Sequence, residues 1–175
     1  GWPNSLISLK LRLHHGNDTP EQSPKEIYPM WNGTVQFNPS YNDNRPPQVF
    51  NIPENATKVE FVAYITGHGW GSAGCFNCCE FCNSRHIFEV NGGVYEFDRD
   101  YPNASSSNYC MQPSTIVQGV IPNQGGTWGY GRAGWCPGQD VAPYVVDITE
   151  HVSFGDENVI DYDACSCLLY TSPSP

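Results

Sequence analysis

Eight cysteines occur in a chain of only 175 residues, and four of them fall between Cys75 and Cys82. An even number of clustered cysteines narrows the chain to two conditions: an oxidising compartment that forms disulfides, or a bound metal. Asparagine decides between them. The triplets Asn17-Asp18-Thr19, Asn32-Gly33-Thr34, Asn55-Ala56-Thr57 and Asn103-Ala104-Ser105 are acceptor sequons for N-glycosylation, the first weakened by Pro20. Such triplets alongside so many cysteines fit a secreted glycoprotein. Cys75-x-x-Cys78 and Cys79-x-x-Cys82 do look like paired zinc knuckles, but they abut, so no intervening loop can fold them around one ion. No metal is expected.

The length suits one domain. Lys and Arg number 8 against 18 Asp and Glu, and the net charge of −10 repels phosphate backbones and anionic headgroups. Neither nucleic acid nor a membrane surface is an expected partner. No apolar run reaches the roughly 18 residues of a membrane span. The chain begins at Gly1, and residues 171–175, Thr-Ser-Pro-Ser-Pro, read as the opening of an extended Ser/Pro stretch. A longer extracellular parent protein is the expectation.

Val and Ile number 13 and 9 against 6 Leu, and β-branched side chains favour pleated strands. Ile7, Leu9, Leu11 and Leu13 alternate with Ser8, Lys10, Arg12 and His14, a period of two with one buried face. After this first strand, Gly16 to Pro29 is a solvated loop or hinge. Further strands are expected over Thr34 to Phe37, Gln48 to Ile52, Lys58 to Thr66, His86 to Val90, Val94 to Phe97, Ser114 to Ile121, Pro143 to Ile148 and Asn158 to Tyr162. Asn91-Gly92-Gly93 reads as a hairpin turn, because Asn and Gly tolerate positive φ. Many short strands with turns between them point to an all-β, antiparallel two-sheet sandwich over residues 1–170, with the tail at 171–175 outside it.

Two segments concentrate chemistry. The first runs Gly67-His68-Gly69-Trp70-Gly71 and on through Cys78, Cys79, Glu80, Phe81 and Cys82; the second is Gly125-Gly126-Thr127-Trp128, then Arg132-Ala133-Gly134-Trp135-Cys136-Pro137-Gly138. In this order, with Val90-Asn91-Gly92 between them, they resemble the C-terminal jelly-roll domain of the peptide-N-glycosidase F family. The resemblance runs from about Lys58 to Asp161. It implies a jelly roll of eight antiparallel strands and metal-independent hydrolysis of the amide between Asn and the first sugar of an N-glycan, with no cofactor. It further implies Glu80 and Arg132 as catalytic cleft residues, with His68 and Trp135 beside them, and disulfides Cys78 to Cys82 and Cys110 to Cys136.

The residues themselves allow two uses. Amide hydrolysis needs a carboxylate to activate water, a donor for the carbonyl oxygen and aromatic walls for sugar faces, and Glu80, Arg132, Trp70, Trp128 and Trp135 are of those types. Equally, Glu80 and Arg132 can form a structural ion pair while the tryptophans fill a core. The family builds its cleft from two jelly rolls and takes an essential aspartate from the first; no position here matches it. Cys75, Cys79, Cys165 and Cys167 also have no family counterparts. They are expected to pair with one another, closing loops of nearly ninety residues, each worth about 4–5 kcal/mol on a chain-entropy estimate.

Copper, used by the related peptide-hydroxylating monooxygenases, is not expected. His14 and His15 are adjacent and so face opposite sides of a strand, His68, His86 and His151 stand alone, and Met30 and Met111 have no local His partner. The sequence reading therefore favours a secreted, glycosylated module for structure, assembly or glycan binding, with N-glycans or glycoproteins as partners and self-association by strand addition. The alternative is an amidase acting on N-glycoproteins.

Overall fold

The structure is a computed structural model and describes residues 24–69, 78–122 and 125–166. Two compact units divide the chain, Gly1–Asn32 and Gly33–Pro175, and both sheets belong to the second. The expected strand over Ile7 to Leu13 lies outside the described residues. In the first unit, Tyr28 donates its hydroxyl to Glu26 at 2.6 Å on an exposed stretch.

Six strands appear among the described residues: β1 (Gln48–Asn51), β2 (Glu60–Ala63), β3 (Ser84–Val90), β4 (Tyr95–Tyr101), β5 (Tyr144–Asp147) and β6 (Glu157–Ser166). They form a four-stranded sheet in the order β1-β6-β3-β4 and a two-stranded sheet, β2-β5. Every strand pair is antiparallel. The architecture is thus the all-β, antiparallel two-sheet sandwich of the jelly-roll reading.

β3 is the central strand, and its burial alternates strictly: Ser84, His86, Phe88 and Val90 turn inward, and Arg85, Ile87 and Glu89 outward. Because Phe88 pairs in register with Phe97 on β4 and Tyr162 on β6, three rings line up across the sheet. Their centroids are 5.4 and 4.8 Å apart in stacked geometry. Phe61 of β2 closes over this row, 4.6 Å from Phe88 and 5.2 Å from Phe97, and so ties the two sheets together. Val90 and Ile160, register partners, are fully buried beside it.

The inner face also holds a polar chain. His86 Nδ1 lies 2.7 Å from the Tyr162 hydroxyl, which is 3.0 Å from that of Tyr41, and His86 Nε2 is 3.3 Å from Ser84 Oγ. Burial pushes the His86 imidazole down to about 4, so it is neutral at physiological pH. The isolated histidine of the sequence is a satisfied core residue.

Asn91 has φ 52° and the following glycines 67° and 83°, so the hairpin between β3 and β4 forms where expected. Its side chain does more than turn the chain. Nδ2 donates to the His151 carbonyl and to Asn158 Oδ1, and Oδ1 accepts the Val159 N–H, which anchors the turn to β6.

Two expected strands are absent. Thr34 to Phe37 is irregular. Ser114 to Ile121, despite its β-branched residues, instead begins in a one-turn helix, α1 (Pro113–Ile116), after a 3-10 turn at Tyr109–Met111. Pro113 at the first helical positions fixes φ in the helical range, and Gly119 at φ 98° breaks the chain's direction beyond the turn. β3 starts at Ser84 rather than His86, and β4 and β6 run longer than expected, to Tyr101 and Ser166, because Ser84 and Arg85 pair with both strands.

Candidate functional site

β3 and β4 open, at Ser84 and Tyr101, onto three loops: residues 64–69, 78–83 and 127–138. A backbone ladder joins them. Gly67 N–H donates to the Ala133 carbonyl, Ala133 N–H to the Glu80 carbonyl, and Glu80 N–H to the Gly69 carbonyl. Such approach is possible only without side chains. A Cβ on Gly67 would meet the Cys79 carbonyl oxygen at 1.6 Å, and one on Gly134, which has φ 85°, would meet the Ile65 oxygen at 2.1 Å. Tyr101, Ala104 and Ala133 form a small core beneath, with Ile65 against it.

Glu80 and Arg132, 52 residues apart in sequence, meet in this cluster. Arg132 Nε donates to Glu80 Oε1 at 2.9 Å, with side-chain exposures of 1% and 15%. The other four N–H groups of the guanidinium are also taken. Nη1 donates to the Trp128 and Tyr130 carbonyls at 3.4 and 3.1 Å, and Nη2 to the Thr127 carbonyl and hydroxyl at 2.7 and 3.1 Å. An Arg has five donors, so its inventory is complete. Phe81 and Trp135 close its two sides, each ring centroid 5.0 Å from Cζ. Glu80 Oε2 in turn accepts the Gly69 N–H at 3.1 Å. A charge this deeply buried persists only when paired and hydrogen-bonded.

The aromatic candidates take different positions. Trp135 is half-buried and donates Nε1 to the Gly67 carbonyl at 3.0 Å. His68 is exposed, its ring 5.2 Å from that of Trp135, with Nε2 3.0 Å from Thr66 Oγ1. Trp128 is half-buried on the loop whose carbonyl it lends to Arg132. Trp70 lies outside the described residues. Chemically, the cluster offers a fixed scaffold with an aromatic and imidazole rim, and an ion pair with its donors already engaged.

The disulfides Cys78–Cys82 and Cys110–Cys136 form, the two pairs that the resemblance implies. The first clamps the ends of the Glu80 loop; the second ties the 109–111 turn to the Arg132 loop. Among the described cysteines Cys79 is free, a half-buried thiol that donates to the His68 carbonyl and accepts the His68 N–H. Burial pushes this thiol up from its ordinary range. Cys75, Cys167 and the side chain of Cys165 lie outside the described residues. Asn32, Asn55 and Asn103 are exposed, and Asn17 is likewise outside them.

Sequence reasoning included Thr127, Phe81, Gly67 and Cys79 in its two motif segments but gave none of them its role in this cluster: Thr127 and Phe81 against Arg132, Gly67 against the Ala133 carbonyl, and the Cys79 thiol against His68. Phe81 stands inside the Cys-x-Glu-Phe-Cys segment, and the glycine density around Thr127 was a usable sign of close backbone approach. The carbonyls of Trp128 and Tyr130 carried no sequence signal. Among the described residues no group of three or more His, Cys, Asp or Glu is placed to hold a metal ion. No helix there is long and apolar enough to cross a membrane.

A curated relative, peptide-N(4)-(N-acetyl-beta-D-glucosaminyl)asparagine amidase F of Elizabethkingia miricola, is 26% identical over 157 residues, covering 82% of this chain and 40% of the relative. The chain therefore spans well under half of that protein's length. Solved structures matched include a crystal structure of peptide-N(4)-(N-acetyl-beta-D-glucosaminyl)asparagine amidase, at 18% identity and a TM-score of 0.47 over 75% of this chain and 43% of the other. A second is PNGase F from Flavobacterium meningosepticum, at 19% identity and a TM-score of 0.44 over the same shares. The family described as "Peptide-N-glycosidase F, C terminal" matches residues 36–173, most of the chain, and the protein belongs to that family.

Proposed function

We propose that this chain is a secreted, glycosylated module of a larger extracellular protein, one that contacts an N-glycan through the rim around His68, Trp128 and Trp135 without itself hydrolysing it. The observation that carries the reading is the closure of Arg132: with five N–H groups engaged, none remains to stabilise charge on a substrate carbonyl. Glu80, which would activate water, has one oxygen on Arg132 and the other on the Gly69 N–H. Both residues then act as a clasp that holds three loops in place. Exposed imidazole and half-buried indole are suited to the apolar faces of sugar rings. The two disulfides fit an oxidising compartment, and the exposed sequons Asn32, Asn55 and Asn103 fit glycosylation there.

Titration with an oligosaccharide of N-acetylglucosamine, followed by NMR or calorimetry, tests the reading. Binding should survive Glu80→Gln and weaken in His68→Ala and Trp128→Ala; equal binding by all three variants, or none by the wild type, sinks it. The amidase reading rests on the family match and on the name of the curated relative, an Asn-amidase of which this chain covers 40%. It would require Arg132 to release a backbone carbonyl, or Glu80 to release Gly69, when substrate binds.

A further inference from the structure

Two asparagines of the chain, Asn32 and Asn91, are each followed by a glycine. Glycine has no side chain to shield its backbone nitrogen, so that nitrogen can attack the preceding carboxamide from within the same chain. The Gly nitrogen gives up its proton and bonds to Cγ, the Cγ–Nδ2 bond breaks, and ammonia leaves with the proton. Water then opens the five-membered imide at one carbonyl or the other, giving aspartate or isoaspartate. No co-reactant other than water is needed.

The two sites stand in unlike surroundings. Asn32 is exposed, whereas Asn91 is half-buried and bonded through both ends of its carboxamide. Nδ2 donates to the His151 carbonyl at 3.1 Å and to Asn158 Oδ1 at 3.0 Å, and Oδ1 accepts the Val159 N–H at 3.0 Å. Asn158 is itself fully buried and donates to the Ser153 and Asp156 carbonyls, so Asn91 ties the β3–β4 hairpin to β6 and to the loop before it. The Asn91 N–H adds a backbone bond to the Val159 carbonyl at 2.9 Å. Attack would make Cγ tetrahedral and expel Nδ2. Three hydrogen bonds that hold the carboxamide planar and in place oppose both steps.

We propose that Asn91 is a deamidation site which the fold keeps shut, and that its conversion releases the β3–β4 hairpin from β6. Local opening of the turn sets the rate. The change runs one way. An aspartate at this position has no N–H to give, so an oxygen faces the His151 carbonyl and Asn158 Oδ1, both acceptors, and Asn158 Oδ1 keeps only the Ser153 N–H. Isoaspartate carries the main chain through Cγ, which lengthens the turn and strains the register between β3 and β4. Each product keeps open the turn whose opening its formation required.

Asn32 is the reference within the same molecule. The full chain, prepared without glycans so that Asn32 carries an ordinary amide, is incubated at mildly alkaline pH both folded and in urea, and deamidation at each site is followed by peptide mass spectrometry. In urea the two asparagines should react at similar rates. In the folded chain Asn91 should slow by about tenfold or more, the protection expected of a hydrogen-bonded turn that opens locally, while Asn32 slows far less. Asn91→Asp, which copies one product, should lower the melting temperature by about 3 °C or more and speed hydrogen exchange at the amide of residue 91. Failure of that variant to fold is the same loss in larger form, and the rates measured on the wild type do not depend on it. Equal Asn91 rates in the folded and unfolded chain, no reaction at Asn91 in urea while Asn32 reacts, or an Asn91→Asp chain as stable as the wild type overturns the proposal.

Discussion

The interior of the four-stranded sheet and the loop cluster around Arg132 are both buried, yet they are built on opposite principles. In the sheet, Phe88, Phe97, Tyr162 and Phe61 fill a layer through area and stacking. Any one ring can be trimmed and its neighbours remain in place. In the cluster, loops with almost no apolar core of their own are fixed by single contacts that have no substitute: a glycine against a carbonyl, five donors on one guanidinium, one carboxylate. Apolar packing spreads its stabilisation over many atoms, whereas a satisfied polar network fails as a unit when one member is lost.

The sharpest break of this contrast comes from the glycines. Gly67→Ala forces a methyl to within 1.6 Å of the Cys79 oxygen, a backbone atom that cannot swing away. It should destabilise by more than about 4 kcal/mol in urea unfolding, beyond the ordinary range for a single substitution. A loss of only about 1 kcal/mol would show that the loops move freely.

Arg132→Met comes next, at about 3–5 kcal/mol, because it leaves the Glu80 carboxylate buried without its partner. Pairing it with Glu80→Leu should recover much of that loss, which a double-mutant cycle in chemical denaturation would measure. Additive losses would mean that the two residues are not coupled.

The sheet interior has its own titration. His86 is held near 4 in the folded state against an ordinary value of 6.5, so the unfolded chain binds the extra proton between those values. Stability from this residue is therefore complete above about pH 6.5, falls as pH drops toward 4, and is lost by roughly 3 kcal/mol below it. Thermal melts of wild type and His86→Gln across that window should differ in slope. Parallel curves would remove His86 as the cause.

Phe88→Leu is the mildest expected change, about 1–2 kcal/mol with a cooperative transition intact. If it proved as damaging as Arg132→Met, the distinction between a distributed core and a single-contact cluster would fail.

The same distinction explains what the sequence revealed. The strand at β3 was legible over His86 to Val90, a short run with Ile87, Phe88 and Val90 that ends at a turn signal, though its start at Ser84 was not, and the turn at Asn91-Gly92-Gly93 was legible because few residues tolerate positive φ. Pro113 was the overlooked cue that turned an apparent strand into a helical turn. At the site, the motif residues Glu80 and Arg132 were identifiable, and so was the option of an ion pair between them, but the complete bonding of Arg132 was not. Whether an Arg is free or fully bonded depends on carbonyls of Thr127, Trp128 and Tyr130, which every residue carries alike. The contact of the Cys79 thiol with the His68 carbonyl was hidden for a related reason, since counting cysteines cannot show which backbone carbonyl a thiol faces.

The central claim is that Glu80 and Arg132 serve as a closed clasp rather than a reacting pair. Incubating the purified chain with a denatured N-glycopeptide and following the peptide by mass spectrometry addresses it directly. The account predicts that the glycan stays attached while the oligosaccharide still binds. Release of the glycan by the wild-type chain, abolished in Glu80→Gln, would contradict it.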